Sequence, residues 1–251
     1  EIINLNKILT EEDIRLLEES LKYFSTDDTN YKAIKSTLTA TPKRNPNLSK
    51  DLINLDGFYN ASISHYSGWH AFHENFDLRF LPEAYNSTGT VPFDLRGILQ
   101  LNSGFYPNGQ TMNDFGHVKG NDKEYPDTIK GIKINSKAKR IHFLTGLIYK
   151  NNVSNGKIAA KLKIYFEDGS QSVMPLIVNK DVFNWWSVYH ATNGNVKAEN
   201  IGFVGQNYLG NGRILTKPIW ENSTPEKLIT HIDFESGKEA AAPFIVAITI
   251  E

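Results

Sequence analysis

The chain contains no cysteine among its 251 residues. That absence removes disulfides, thiolate metal sites and a cysteine nucleophile together. It leaves the compartment open, because secreted bacterial proteins also do without cysteine. An excess of one charge is missing too, since 27 basic and 28 acidic residues give a net charge of -1. Tight nucleic-acid binding needs a basic field that neutralises phosphates, and electrostatic anchoring to an anionic membrane needs a polybasic segment; neither is present. No apolar run approaches bilayer-spanning length, so membrane insertion is not expected. Also absent are the Gly-x-x-x-x-Gly-Lys phosphate loop, the Gly-x-Gly-x-x-Gly dinucleotide turn and the Gly-x-Ser-x-Gly nucleophile elbow.

What is present is an ordinary globular composition, 40% hydrophobic and 22% charged. A chain of this length buries enough apolar surface to need no disulfide or metal staple. It starts at Glu1 without Met and reads as a processed or trimmed piece of a longer chain or assembly. The opening predicts a helix. Thr10 serves as N-cap, and Glu11, Glu12 and Asp13 complement the helix dipole in the first turn. Ile14, Leu17, Leu21 and Phe24 then recur at helical spacing as one apolar stripe. A second short helix is expected over Tyr31 to Leu38, and Thr39 to Lys50, with Pro42 and Pro46, reads as a linker. Residues 1–50 are thus a helical lead and linker, which either packs on the sandwich or, as the linker after it favours, is the tail of an upstream helical domain; residues 51–251 form the sandwich unit.

From Asp51 the pattern changes to short strands between Gly, Asn, Asp and Pro clusters, the pattern of an all-β antiparallel sandwich. Val91, Phe93, Leu95, Leu99 and Leu101 are expected on one face of a strand, as are Ile141, Phe143 and Leu147 on another. Ile158 to Phe166 points Leu162, Ile164 and Phe166 inward, and Lys161, Lys163 and Tyr165 outward. Asp168-Gly169 supplies the positive φ of a tight hairpin turn, and Gln171 to Val178 returns as its partner. Further strands are expected at Ile201 to Gly205, Lys227 to Phe234 and Pro243 to Ile250. The last carries Phe244, Val246, Ile248 and Ile250 on one face. Eight or so strands with long loops fit two packed sheets.

Two aromatic clusters could carry a ligand. Phe183-Asn-Trp185-Trp186-Ser-Val-Tyr189-His190 precedes a polar run, and Trp or Tyr rings on such a loop offer flat faces for sugar rings or a protein partner. The competing reading makes one tryptophan of the pair a plug in the sandwich core. His65 to Glu74 includes Trp69, His70 and His73, and invites a transition metal. It lacks the His-Glu-x-x-His arrangement, however, and its Gly, Ser and aromatic content favours a surface loop. Asp94 and Arg96, two apart, either pair structurally or offer Arg96 to a ligand. The candidate ligand-binding set is therefore Trp69, His70, Arg96, Trp185, Trp186, Tyr189 and His190, with no catalytic residue assigned. The oxygen-rich loops at 113–116, 120–122 and Glu221-Asn222 are compatible with a structural calcium but lack the spacing of a known calcium loop. Asn-x-Ser/Thr sequons at Asn47, Asn60, Asn86, Asn152 and Asn222 arise by chance in a chain this rich in Asn.

Several stretches together resemble a C-terminal domain of extracellular and signalling proteins of planctomycete-type bacteria. They are Phe58-Tyr-Asn-Ala61, Val91-Pro-Phe-Asp-Leu-Arg-Gly97 with Leu99-Gln-Leu101, Ile129-Lys-Gly-Ile132 and Arg140-Ile-His-Phe-Leu144. Ile164-Tyr-Phe-Glu-Asp-Gly169, Asp181 with Trp185-Trp186, Trp220-Glu-Asn222 with Pro225-Glu226, and Ala242-Pro-Phe244 with Ala247-Ile248 continue the series. That family is similar to galactose-binding-like sandwiches and to carbohydrate-binding modules of the NPCBM type. The resemblance implies a jelly-roll-like sandwich and an accessory role at the bacterial cell surface or outside the cell, without catalytic residues. The expectation is thus a non-catalytic carbohydrate-binding or adhesion module whose partner is a glycan or another protein. The alternatives are a structural or protein-interaction domain, and then a jelly-roll hydrolase with paired carboxylates across a groove.

Overall fold

The computed structural model describes residues 11–63, 78, 81, 91–102, 125–148, 155–186, 198–206 and 212–251. Among the described residues two helices, α1 (Glu11–Leu21) and α2 (Thr29–Thr39), lead into ten strands. These are β1 (Leu99–Gln100), β2 (Thr128–Ser136), β3 (Arg140–Ile148), β4 (Ile158–Phe166) and β5 (Gln171–Ile177). After them come β6 (Ile201–Gln206), β7 (Gly212–Thr216), β8 (Ile219–Glu221), β9 (Ile229–Ser236) and β10 (Ala242–Ile250). The helices pack on one another. Asp28 caps α2 by accepting from the Asn30 N–H, and Leu21 and Leu38 are buried. The side chain of Ile14 lies outside the described residues. No helix among the described residues is long and apolar enough to cross a membrane.

The strands form two antiparallel sheets, as the alternation in the sequence predicts. A six-stranded sheet runs β1-β10-β3-β7-β6 with β8 also on β3, and a four-stranded sheet runs β2-β9-β4-β5. β7 and β8 both pair with β3, at Thr145 and at Arg140 to His142. Between them stands Pro218, which has no N–H to donate and uses its carbonyl to accept from the Phe143 N–H at 3.2 Å. In the four-stranded sheet β4 and β5 form the predicted hairpin, with Gly169 at φ +81° and Asp168 accepting from the Ser170 N–H. Pro175 sits in β5, an edge strand, where a missing donor costs least.

Two cores lie on either side of the six-stranded sheet. The first fills the space between the sheets, with Phe143, Leu147, Ile245, Ile248, Leu162, Ile164, Ile232 and Phe234 among its members. The second lies on the outer face, where Leu144, Ile148, Phe244 and Val246 of the sheet meet Ala61, Phe93, Leu95, Ile98 and Trp185 from irregular segments. Hence every residue of β10 is buried, and all of β3 except Arg140. A strand covered on both faces reads as a continuous apolar run, not as an alternation.

This second core corrects two expectations. Phe244, Val246, Ile248 and Ile250 do not share a face. A bulge between Ile245 and Ala247 inserts an extra residue and reverses the facing, so Phe244 and Val246 pack outward while Ile248 and Ile250 pack between the sheets. Nor is Val91 to Leu101 one strand. Only Leu99–Gln100 pairs as a strand, and Phe93 and Leu95 fill the outer core while Leu99 and Leu101 fill the inner one. The chain turns near Gly97, where an added Cβ would stand 2.6 Å from the Tyr59 ring.

Candidate functional site

Arg96 is wholly occupied by structure. Its Nε donates to both Asp94 oxygens at 3.0 Å, Nη1 donates to Asp56 Oδ1 at 2.5 Å and to the Pro42 carbonyl, and Nη2 donates to Asn54 Oδ1. Arg44 completes the network, donating to Asp94 Oδ2 at 2.5 Å and to the Leu52 and Ser49 carbonyls. Asp94 and Arg96 are both buried, and Tyr59 lies under the guanidinium at 5.5 Å. Burial pushes the Tyr59 hydroxyl above its ordinary range. The candidate ligand contact at Arg96 is thus replaced by a structural role. One Nη1 contact ties the linker at Pro42 to the sandwich, and the remaining ones hold Asp94, Asp56 and Asn54 together.

Trp185 is fully buried and Trp186 half-buried, their rings meeting edge to face at 5.6 Å. The segment is stitched between strands. The Trp185 N–H donates to the Leu147 carbonyl, and the Trp185 carbonyl accepts from Ile214. Asn184 Oδ1 accepts from the Trp186 N–H. Arg213 of β7 lies 3.3 Å from the Trp186 ring centroid and 5.0 Å from that of Trp185, and burial pulls it down to about 10. Of the tryptophan pair, Trp185 is the plug, and a buried ring offers no stacking platform. The Arg96 network and the tryptophans also sit at opposite ends of the sheet. Leu52 and Pro92 tie the network to Thr249, whose partner on β3 is His142. Trp185 bonds five residues further along β3, roughly 17 Å away. Trp69, His70, Tyr189 and His190 lie outside the described residues.

The outer face of the four-stranded sheet is different, since its outward side chains are half-buried or exposed. Tyr165 of β4 and His231 of β9 are direct cross-strand partners, and their rings stack at 4.4 Å and 7° from parallel. A register shift beside them brings in Thr230. Its hydroxyl donates to the Tyr165 carbonyl at 3.1 Å and therefore accepts from His231 Nδ1–H at 2.9 Å. That fixes the tautomer and leaves Nε2 as the acceptor of the neutral ring. The next rows are Lys163 opposite Asp233 and Lys161 opposite Glu235. Lys163 pairs diagonally with Glu235 at 2.5 Å, and Asp233 accepts from the Gly131 N–H. Lys133 of β2 stands opposite His231.

Each ring turns one face to the other, so the stack offers a ligand ring edges and outer faces, with amine and carboxylate groups around them for hydrogen bonding. They are not set up as an acid–base pair. Lys163 holds Glu235 below the usual carboxylate range, the reverse of the shift a general acid needs. The sequence places Lys161, Lys163 and Tyr165 outward, and the structure agrees. It gives no hint that His231 joins them, because pairing of β4 with β9 is a matter of topology.

A further group of titratable side chains also goes unmarked in the sequence. His142 Nε2 lies 3.2 Å from Glu251 Oε2 beside the buried Lys217, and Arg140 pairs with Glu221. Burial lowers both His142 and Lys217. Among the described residues no group of three or more His, Asp or Glu is placed to hold a metal. At the Glu221-Asn222 loop the Asn222 amide donates to the Ala138 carbonyl and its Oδ1 accepts from Thr224, so that sequon and its oxygens serve the fold. Asn60 likewise spends its amide on the Gln100 backbone. Comparison with family models, curated proteins and solved structures gives no match to this chain.

Proposed function

We propose that this chain is a non-catalytic carbohydrate-binding or adhesion module of a larger extracellular protein of bacterial type. Its ligand lies across the outer face of the four-stranded sheet. The Tyr165–His231 stack carries the reading, because it sets two half-exposed rings, with their edges and outer faces, among hydrogen-bonding groups on an accessible sheet face. Sugars present apolar C–H faces and hydroxyl edges, and such a surface answers both. The resemblance to carbohydrate-binding sandwiches supports the same reading.

The test is a glycan array probed with the purified chain, then with Tyr165→Ala and His231→Ala, each first shown to melt like the parent. Selective binding lost in both folded variants supports the platform. Binding that survives both, or the absence of any binding by folded protein, removes it.

A second reading has its own observation. Tyr23 at 84% and Leu16 at 49% are large apolar side chains exposed on the helical lead. Their exposure suits a protein-interaction domain. Self-association or partner capture lost in a Leu16→Ser, Tyr23→Ser variant, with saccharide binding absent, would favour it.

A further inference from the structure

The platform is not electrically neutral. Three of its four strands turn charges to the outside: Lys130 and Lys133 (β2), Lys161 and Lys163 (β4), and Asp233 and Glu235 (β9). Four ammonium groups against two carboxylates leave a surplus of two positive charges on this face, in a chain whose net charge is -1. The ion pairs at the margins are neutral. Lys227 pairs with Asp168 at one end and Lys238 with Asp127 at the other. Within the face Lys163 is tied to Glu235, whereas Lys130 and Lys161 act on Glu235 through space. Beyond Lys161, roughly 13 Å along β4 from the rings, the sheet opens into a shallow depression of about 380 Å³ lined by Lys157, Lys161, Gly237 and Glu239.

We infer that this face takes an acidic saccharide, bearing carboxylate or sulfate groups, with a sugar ring on the Tyr165–His231 stack and its anions toward Lys133 and Lys161. The inference rests on the reading of the face as a saccharide platform and adds the ligand's charge. A protein partner fits less well, since protein interfaces need an apolar centre, and here Val173 and Pro175 lie out on the edge strand. Lysines, as mobile point charges, suit anions spaced along a chain more than one bidentate carboxylate.

The experiment uses matched oligosaccharides, an oligogalacturonate and the same oligomer with its carboxylates reduced to alcohols, together with a sulfated oligosaccharide and poly-glutamate. The parent chain is compared with a Lys133→Gln, Lys161→Gln variant of unchanged melting temperature. The acidic member of the pair, or the sulfated oligomer, should bind about tenfold tighter than the neutral one, with the advantage fading from about 0.05 to about 0.5 M salt. The lysine variant should lose about fivefold or more of the acidic affinity, should lose the salt dependence with it, and should lose a smaller factor of the neutral affinity. Equal, salt-insensitive binding of both members overturns the charge inference and leaves the platform standing. No saccharide bound by folded protein overturns both. Poly-glutamate bound in place of the saccharides overturns the inference in favour of an acidic protein segment.

Discussion

The guanidinium carbon of Arg213 lies 3.3 Å from the centroid of the Trp186 ring, and the ring meets the buried Trp185 edge to face. The three side chains close one end of the outer core, but they do not contribute equally. Trp185 is fully buried, whereas Trp186 is half-buried. Trp185→Ala should therefore lower the unfolding free energy by roughly 3–5 kcal/mol, the range for emptying a buried aromatic site. Trp186→Ala should cost clearly less. Urea denaturation of the two variants checks the order, and a larger loss at Trp186 would contradict this packing.

Gly146 is a second packing constraint. A Cβ added there would stand 2.6 Å from the Phe244 ring and 3.2 Å from Trp185. Gly146→Ala should destabilise by about 1–3 kcal/mol through overpacking. Pairing it with Phe244→Leu should recover part of the loss, and strict additivity in denaturant titrations would show that the clash is not the cause.

At the other end of the sheet the buried Asp94–Arg96 pair predicts a steep cost for half-removal. Arg96→Ala leaves Asp94 buried with Arg44 as its remaining cation, and should cost roughly 3–5 kcal/mol. Arg44→Ala should cost less and should also release the 42–44 segment, which native-state hydrogen exchange at Ser49 to Leu52 would report. Unchanged exchange there would mean that the linker is held by something other than Arg44.

Acid stability provides the fourth expectation. Burial holds His142 below its ordinary value of 6.5 in the folded protein. Below that value the unfolded chain binds a proton that the folded chain resists, so stability rises with pH through this window and falls on acidification. The depressed Glu251 carboxylate adds its own loss only as the pH drops through and below 4.5. Between about pH 7.5 and about pH 5.5, then, the slope belongs largely to His142 among these two groups. His142→Gln should flatten the dependence of the urea midpoint on pH in that range. An unchanged slope would assign it elsewhere.

The outward Lys161, Lys163 and Tyr165 and the Asp168-Gly169 turn were legible because local rules decide them: period two for a one-faced strand, positive φ for a tight turn. β10 misled because a bulge is invisible in composition. Phe244, Val246, Ile248 and Ile250 keep the spacing of one face, yet Ile245 to Ala247 breaks the parity. Asp94 and Arg96 were legible as a pair, but their partners Arg44, Asp56 and Asn54 come from some forty to fifty positions away in the chain. The platform was half legible for the same reason. Tyr165 is visible as an outward ring, and His231, 66 positions later, joins it only through strand pairing.

The place of β10 has a consequence for biosynthesis. It is the strand between β1 and β3, and its pairing with β3 spans roughly a hundred residues of chain, a separation that slows folding. While a ribosome is still making residues 242–250, β1 and the Ile141 to Ile148 stretch of β3 each present an unsatisfied backbone edge, one of them strongly apolar. A nascent chain stalled there carries a template for pairing with its neighbours on the polysome. Completion of β10 removes that hazard in a single step.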